Sequence, residues 1–130
     1  MADVNRGDRP LSPFMLGQVY RFQITSVMSL LHRVTGVGIS LGAALGVWWF
    51  LAAASGPGYF AVVDGLLTSW IGGFVMLGML LSLWYHFCNG IRHLVWDAGR
   101  GFDLETVRRS GLFASAAAVA LTILTLIVAW

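Results

Sequence analysis

The sequence contains no lysine, a single cysteine and three prolines, and only 11% of its 130 residues are charged. A soluble domain carries about a quarter charged residues, so a surface wetted on all sides is excluded. Cys88 has no partner for an intramolecular disulfide, and a solitary cysteine inside an apolar run is a small apolar filler. The leading stretch from Met1 to Pro10 lacks the apolar core of a secretory signal, and its acidic residues set it apart from Arg/Ser-rich transit peptides. The first apolar span is therefore expected to be retained.

What the chain has instead is apolar length. Hydrophobic residues make up 58% of it, and the stretches Val34 to Ala54, Gly65 to Phe87 and Gly111 to Trp130 are each long enough to cross a hydrocarbon core of about 30 Å at about 1.5 Å per residue. Backbone groups in lipid must be satisfied internally, and these runs lack the alternation of barrel strands, so the spans are expected to be helices. The expected fold is an all-α membrane protein of three transmembrane helices, at about residues 25–54, 61–96 and 104–129. Residues 1–23 form a polar cytoplasmic segment broken by Pro10 and Pro13, and residues 24–130 the anchor. Thr25 or Ser26 is expected to cap the first helix and Asp103 the third, with Glu105 in its first turn.

All eight positive charges are arginine. Arg6, Arg9, Arg21 and Arg33 precede or open the first span, and Arg92, Arg100, Arg108 and Arg109 lie around the second connection, whereas "SGPGYFAVVDG" between the first two spans carries none. Positive residues concentrate on the cytoplasmic side. The N-terminus is accordingly cytoplasmic and Trp130 faces the opposite side. The net charge of +2 is thus a topology signal and not a nucleic-acid footprint.

Polar residues inside such a chain are costly and tend to be functional. In "HFCNGIRHLVWD", residues 86–97, His86, Gly90 and His93 stand at i, i+4 and i+7 and share a helix face bordered by Asn89 and Arg92. His86 is six residues inside Arg92, about 9 Å deeper. An imidazole at that depth, with a glycine one turn away making room for a flat ligand, suits either an axial haem ligand or a hydrogen bond between helices. Arg92 and His93, nearer the cytoplasm, suit carboxylates such as haem propionates, or snorkel to the interface. In "SLLHRVTG", residues 29–36, Ser29 and Arg33 are one turn apart and His32 is offset. A hydroxyl and a guanidinium at the membrane edge fit a quinone carbonyl, or else an interfacial anchor. Gly38, Gly42 and Gly46 form a small-residue seam about 180° from the face of Ser29, Arg33, Gly36 and Ser40.

With "RPLSP" at residues 9–13, these two motifs in this order and spacing make the chain resemble the succinate dehydrogenase cytochrome b subunits, the larger membrane anchors of respiratory complex II. The resemblance covers nearly the whole chain, with Phe14 standing where many relatives have His. It implies a multi-pass protein of the bacterial inner (plasma) membrane. It also implies a subunit of an enzyme complex that oxidises no succinate by itself. Its partners would be a second three-helix anchor, an iron–sulfur subunit and a flavoprotein subunit. Its cofactor would be one haem b shared with the second anchor, and its substrate ubiquinone. By the same resemblance His86 is the axial ligand to the haem iron, Ser29 and Arg33 are quinone-site residues, and His32, Arg33 and His93 neighbour the haem propionates. The other readings are the anchor of a quinol:fumarate reductase and a haem-free structural or transport subunit.

Overall fold

The computed structural model describes residues 23–129. "RPLSP", Phe14 and Trp130 lie outside the described residues. Among the described residues four helices follow one another: α1 (Ile24–Ser55), α2 (Pro57–Leu67), α3 (Trp70–Asp97) and α4 (Leu104–Ala129). Three of them, α1, α3 and α4, are long and apolar enough to cross a membrane. Their flanks remain covered with exposed Leu, Val, Ile and Phe side chains, the expected surface of helices whose solvent is lipid or another apolar subunit.

The helix ends differ from expectation in two places. The first helix starts a residue earlier than Thr25, with Val27 N–H closing its first bond onto the Gln23 carbonyl at 3.0 Å, and Gln23 caps it without a side-chain bond. The expected second helix over 61–96 is two helices. Pro57 sits in the first turn of α2, where its missing N–H costs nothing. Thr68 then ends α2 by donating its N–H to the Asp64 carbonyl, and the Ser69 hydroxyl opens α3 by accepting from Gly72 N–H at 3.1 Å. The hydropathy of this stretch runs on unbroken through the turn, which is why length alone hides it. A Cβ at Gly72 would collide with the carbonyls of Leu66 and Leu67, so the turn requires glycine there.

α2 is tied across the end of α1 by aromatic N–H donors: Trp48 to the Tyr59 hydroxyl at 2.7 Å and Trp49 to the Asp64 carboxylate at 3.0 Å. Asp103 caps α4 as expected, accepting from Thr106 N–H at 2.9 Å. Hydrogen bonds from Thr106, its hydroxyl first and its N–H second, hold the Asp103 carboxyl below the usual carboxylate range. Glu105 pairs with Arg109 at 2.7 Å on the surface.

The glycine seam of α1 is only partly a seam. Gly38 and Gly42 face Ser82 and Met79 of α3, whereas Gly46 faces open space. Gly36, placed by periodicity on the other face, also packs on α3. The contact with α3 is broader than one small-residue stripe.

The arginine distribution makes a prediction about orientation. A reporter active only outside the cytoplasm is expected to work after Trp130 or near Gly58 in α2, and to be silent near Gly101 between α3 and α4. Activity near Gly101 would invert this topology.

Candidate haem and quinone site

The three histidines of the chain meet at one end of the bundle. His32 comes from the third turn of α1, and His86 and His93 are two turns apart on α3. The His32 and His86 rings stack with centroids 3.9 Å apart and planes 9° from parallel. His93 lies 5.0 Å from His32, and its ring meets Trp96 edge to face, again at 5.0 Å. The side of α3 between His86 and His93 is open, because a Cβ at Gly90 would meet nothing within 4 Å. The glycine that lets the neighbouring helix approach His86 is Gly36, whose Cβ would stand 3.2 Å from His86 Cε1. Room for a flat group and close helix packing are thus supplied by different glycines.

Hydrogen bonding assigns the His86 tautomer. Nδ1 is 3.0 Å from the His32 carbonyl oxygen and 3.3 Å from Thr35 Oγ1. A carbonyl so close must accept, so Nδ1 carries a proton, and in the neutral ring Nε2 is the nitrogen with the lone pair. Metal-bound histidines are arranged this way, with the second nitrogen donating to a carbonyl that fixes the ring. His32 Nδ1 is buried, and among the described residues it has no hydrogen-bond partner. No group of three or more His, Cys, Asp or Glu able to hold a metal occurs among the described residues. One imidazole, an open flank and an unmatched ring nitrogen suit a macrocyclic metal complex better than a bare ion.

Ser29 and Arg33 meet as their spacing predicts, Arg33 Nη2 donating to Ser29 Oγ at 3.3 Å. Arg33 is exposed. With Oγ occupied as an acceptor, the Ser29 O–H is left to donate, so the pair presents two donor types near the start of α1.

Arg92 differs from expectation. It does not stay at the interface beside His93 but turns into the bundle, 7% exposed. Its Nε donates to Ser110 Oγ at 2.9 Å, Nη1 to Asn89 Oδ1 at 3.1 Å and Nη2 to the Val107 carbonyl at 2.8 Å. Its guanidinium also lies 4.2 Å from the centre of the Trp96 ring and touches Met28 of α1. Gly111 of α4 leaves the space for Met28, which a Cβ there would strike. Periodicity places Arg92 on the border of the histidine face; only the acceptors of α4, distant in sequence, explain its turn inward. The side chain clamps α3 to α4, so Arg92→Leu is expected to lower the stability of the bundle by about 1.5–3 kcal/mol, the worth of hydrogen bonds to a charged group. Thermal unfolding in detergent measures it, and an unchanged midpoint would deny the clamp.

The family described as succinate dehydrogenase/fumarate reductase transmembrane subunit matches residues 5–125. The chain is 44% identical over 128 residues to the succinate dehydrogenase cytochrome b556 subunit of Paracoccus denitrificans, a match covering 98% of this chain and 97% of that one. It is 35% identical over 116 residues to the subunit of the same name in Rickettsia prowazekii, over 89% of each. To the mitochondrial succinate dehydrogenase cytochrome b560 subunit of Sus scrofa it is 36% identical over 110 residues, 81% of this chain and 62% of that one. Matches of this extent, on three membrane-length helices, establish that the chain belongs to the succinate dehydrogenase/fumarate reductase transmembrane subunit family.

Proposed function

We propose that this protein is the haem b- and quinone-binding anchor of a succinate:quinone oxidoreductase in the bacterial inner membrane. With a second three-helix anchor it holds the iron–sulfur and flavoprotein subunits at the membrane, and electrons from the iron–sulfur subunit reduce ubiquinone beside it. The observation that carries the reading is His86: its Nδ1 is bound to the His32 carbonyl at 3.0 Å, which in the neutral ring leaves Nε2 as the nitrogen with the lone pair. Haem b, when bound, supplies a one-electron couple and four nitrogen donors of its own.

This chain's residues would do the rest. His86 would hold the iron through Nε2, with a further ligand supplied by the second anchor. His32 and His93, 5.0 Å apart, offer ring N–H donors to the haem carboxylates, and Arg33 adds a positive charge on the same turn of α1 as His32. Ser29 donates to a quinone carbonyl while Arg33 fixes the head group and stabilises the negative charge that develops on its oxygen as electrons arrive.

The purified, succinate-oxidising complex is expected to show sharp cytochrome b bands in its dithionite-reduced minus oxidised spectrum. A pure and active complex without them would overturn the haem assignment and favour a structural role for the histidines.

A further inference from the structure

The proposed function leaves Thr35 unused, yet its hydroxyl is poised against His86. Thr35 Oγ1 lies 2.8 Å from the Leu31 carbonyl and 3.0 Å from the His32 carbonyl, so its single proton is directed into its own helix. Its lone pairs remain, and one faces His86 Nδ1 at 3.3 Å. The branched side chain has few χ1 choices in a helix, and the back-bond selects among them, so the direction of that lone pair is set. On the neighbouring position Gly36 presents bare backbone to the same ring, where a Cβ would come within 3.2 Å of Cε1 and 3.6 Å of Nδ1. One turn of α1 therefore grips the imidazole by a carbonyl, a hydroxyl and a gap.

We infer that Thr35 is a positioning residue for His86: its Oγ1 shares the Nδ1 proton with the His32 carbonyl, and so fixes the plane and the basicity of the ring. The inference rests on the reading of His86 as the haem ligand. Hydrogen bonding behind a metal-bound imidazole makes it a stronger donor and favours the oxidised metal. Removing one of the two acceptors shifts the balance toward the reduced form.

The test is a redox titration of the haem in the assembled, purified complex, with the low-spin ferric resonance spectrum recorded on the same samples. Thr35→Val keeps the shape and deletes the oxygen. It is expected to move the oxidised/reduced equilibrium about three- to tenfold toward the reduced form, raising the midpoint by about 30–60 mV at 59 mV per decade for one electron. Thr35→Ser keeps the oxygen and is expected to restore both the midpoint and the resonance spectrum. Haem lost in Thr35→Val and kept in Thr35→Ser would support the same role. A Thr35→Val complex with the wild-type midpoint overturns the inference, and so does an equal disturbance in both variants, which would make the residue a packing element. His86→Ala separates the two ideas: if that variant keeps a normal haem, the ligand assignment itself is wrong, whereas haem lost there with an unshifted Thr35→Val refutes Thr35 alone.

Discussion

His86→Ala is expected to remove low-spin haem b from the complex while leaving the anchor in the membrane. The ligand nitrogen goes, but alanine is the best helix former and the apolar length of α3 is unchanged. Losing even a group behind a metal ligand costs about 10–100-fold in affinity, so loss of the ligand itself should reduce bound haem by more than tenfold. Haem per complex, from the reduced-minus-oxidised spectrum, measures this, with immunodetection of the anchor in washed membranes as the control for insertion. A normal spectrum in the variant would reassign His86 to helix packing, where its bond to the His32 carbonyl would be the whole of its role.

The second large effect concerns the exposed pair on α1. Arg33→Leu is expected to slow electron transfer from succinate to ubiquinone by about tenfold or more. A hydrogen bond to a charged group is worth about 1.5–3 kcal/mol, and about 1.4 kcal/mol is one decade in rate. Ser29→Ala should cost less, since a neutral bond is worth about 0.5–1.5 kcal/mol. The 3.3 Å bond between the two residues makes the effects non-additive, because each deletion also frees the other's side chain. The same membranes should be assayed with a soluble artificial acceptor that takes electrons upstream of the anchor. The assignment requires that rate to stay near wild type. Parallel loss of both rates would mean that the pair holds the assembly together, and no loss in either would make Arg33 an interfacial anchor.

The large features of the fold are legible in the sequence because each rests on a quantity that one helix carries by itself. Apolar length marks α1, α3 and α4, and the spacing of His86 and His93 places both on one side of α3. Ser29 and Arg33 are legible as a pair for the same reason, being one turn apart on a single helix. What the sequence hides depends on two helices at once. The break at Thr68 and Ser69 is the exception: apolar residues flank it, so hydropathy does not show it, and it is held by local bonds from Gly72 N–H to Ser69 Oγ and from Thr68 N–H to the Asp64 carbonyl. Gly90 looks like the glycine that serves His86, being one turn away; the close approach comes from Gly36, fifty residues earlier, because α1 and α3 run side by side there. Arg92 reads as a partner for carboxylates until Ser110 and Val107 of α4 are seen to take its donors.

The clamp has an electrostatic consequence. Every group among the described residues that Arg92 engages is uncharged: a serine hydroxyl, an asparagine amide, a backbone carbonyl, a methionine sulfur and an indole ring. Its positive charge is solvated by these groups but not neutralised by them. It is also permanent, since a guanidinium stays protonated. His86 lies about 9 Å away along the axis of α3, and a unit negative charge at about 10 Å with an effective dielectric constant of about 20 is favoured by about 1.7 kcal/mol. That exceeds the free-energy equivalent of one decade. The residue that joins α3 to α4 thus also sets up a standing positive field at this end of the bundle, and on the proposed haem reading the Arg92→Leu protein reads both properties: stability through its unfolding midpoint, and the field through the midpoint potential of the haem.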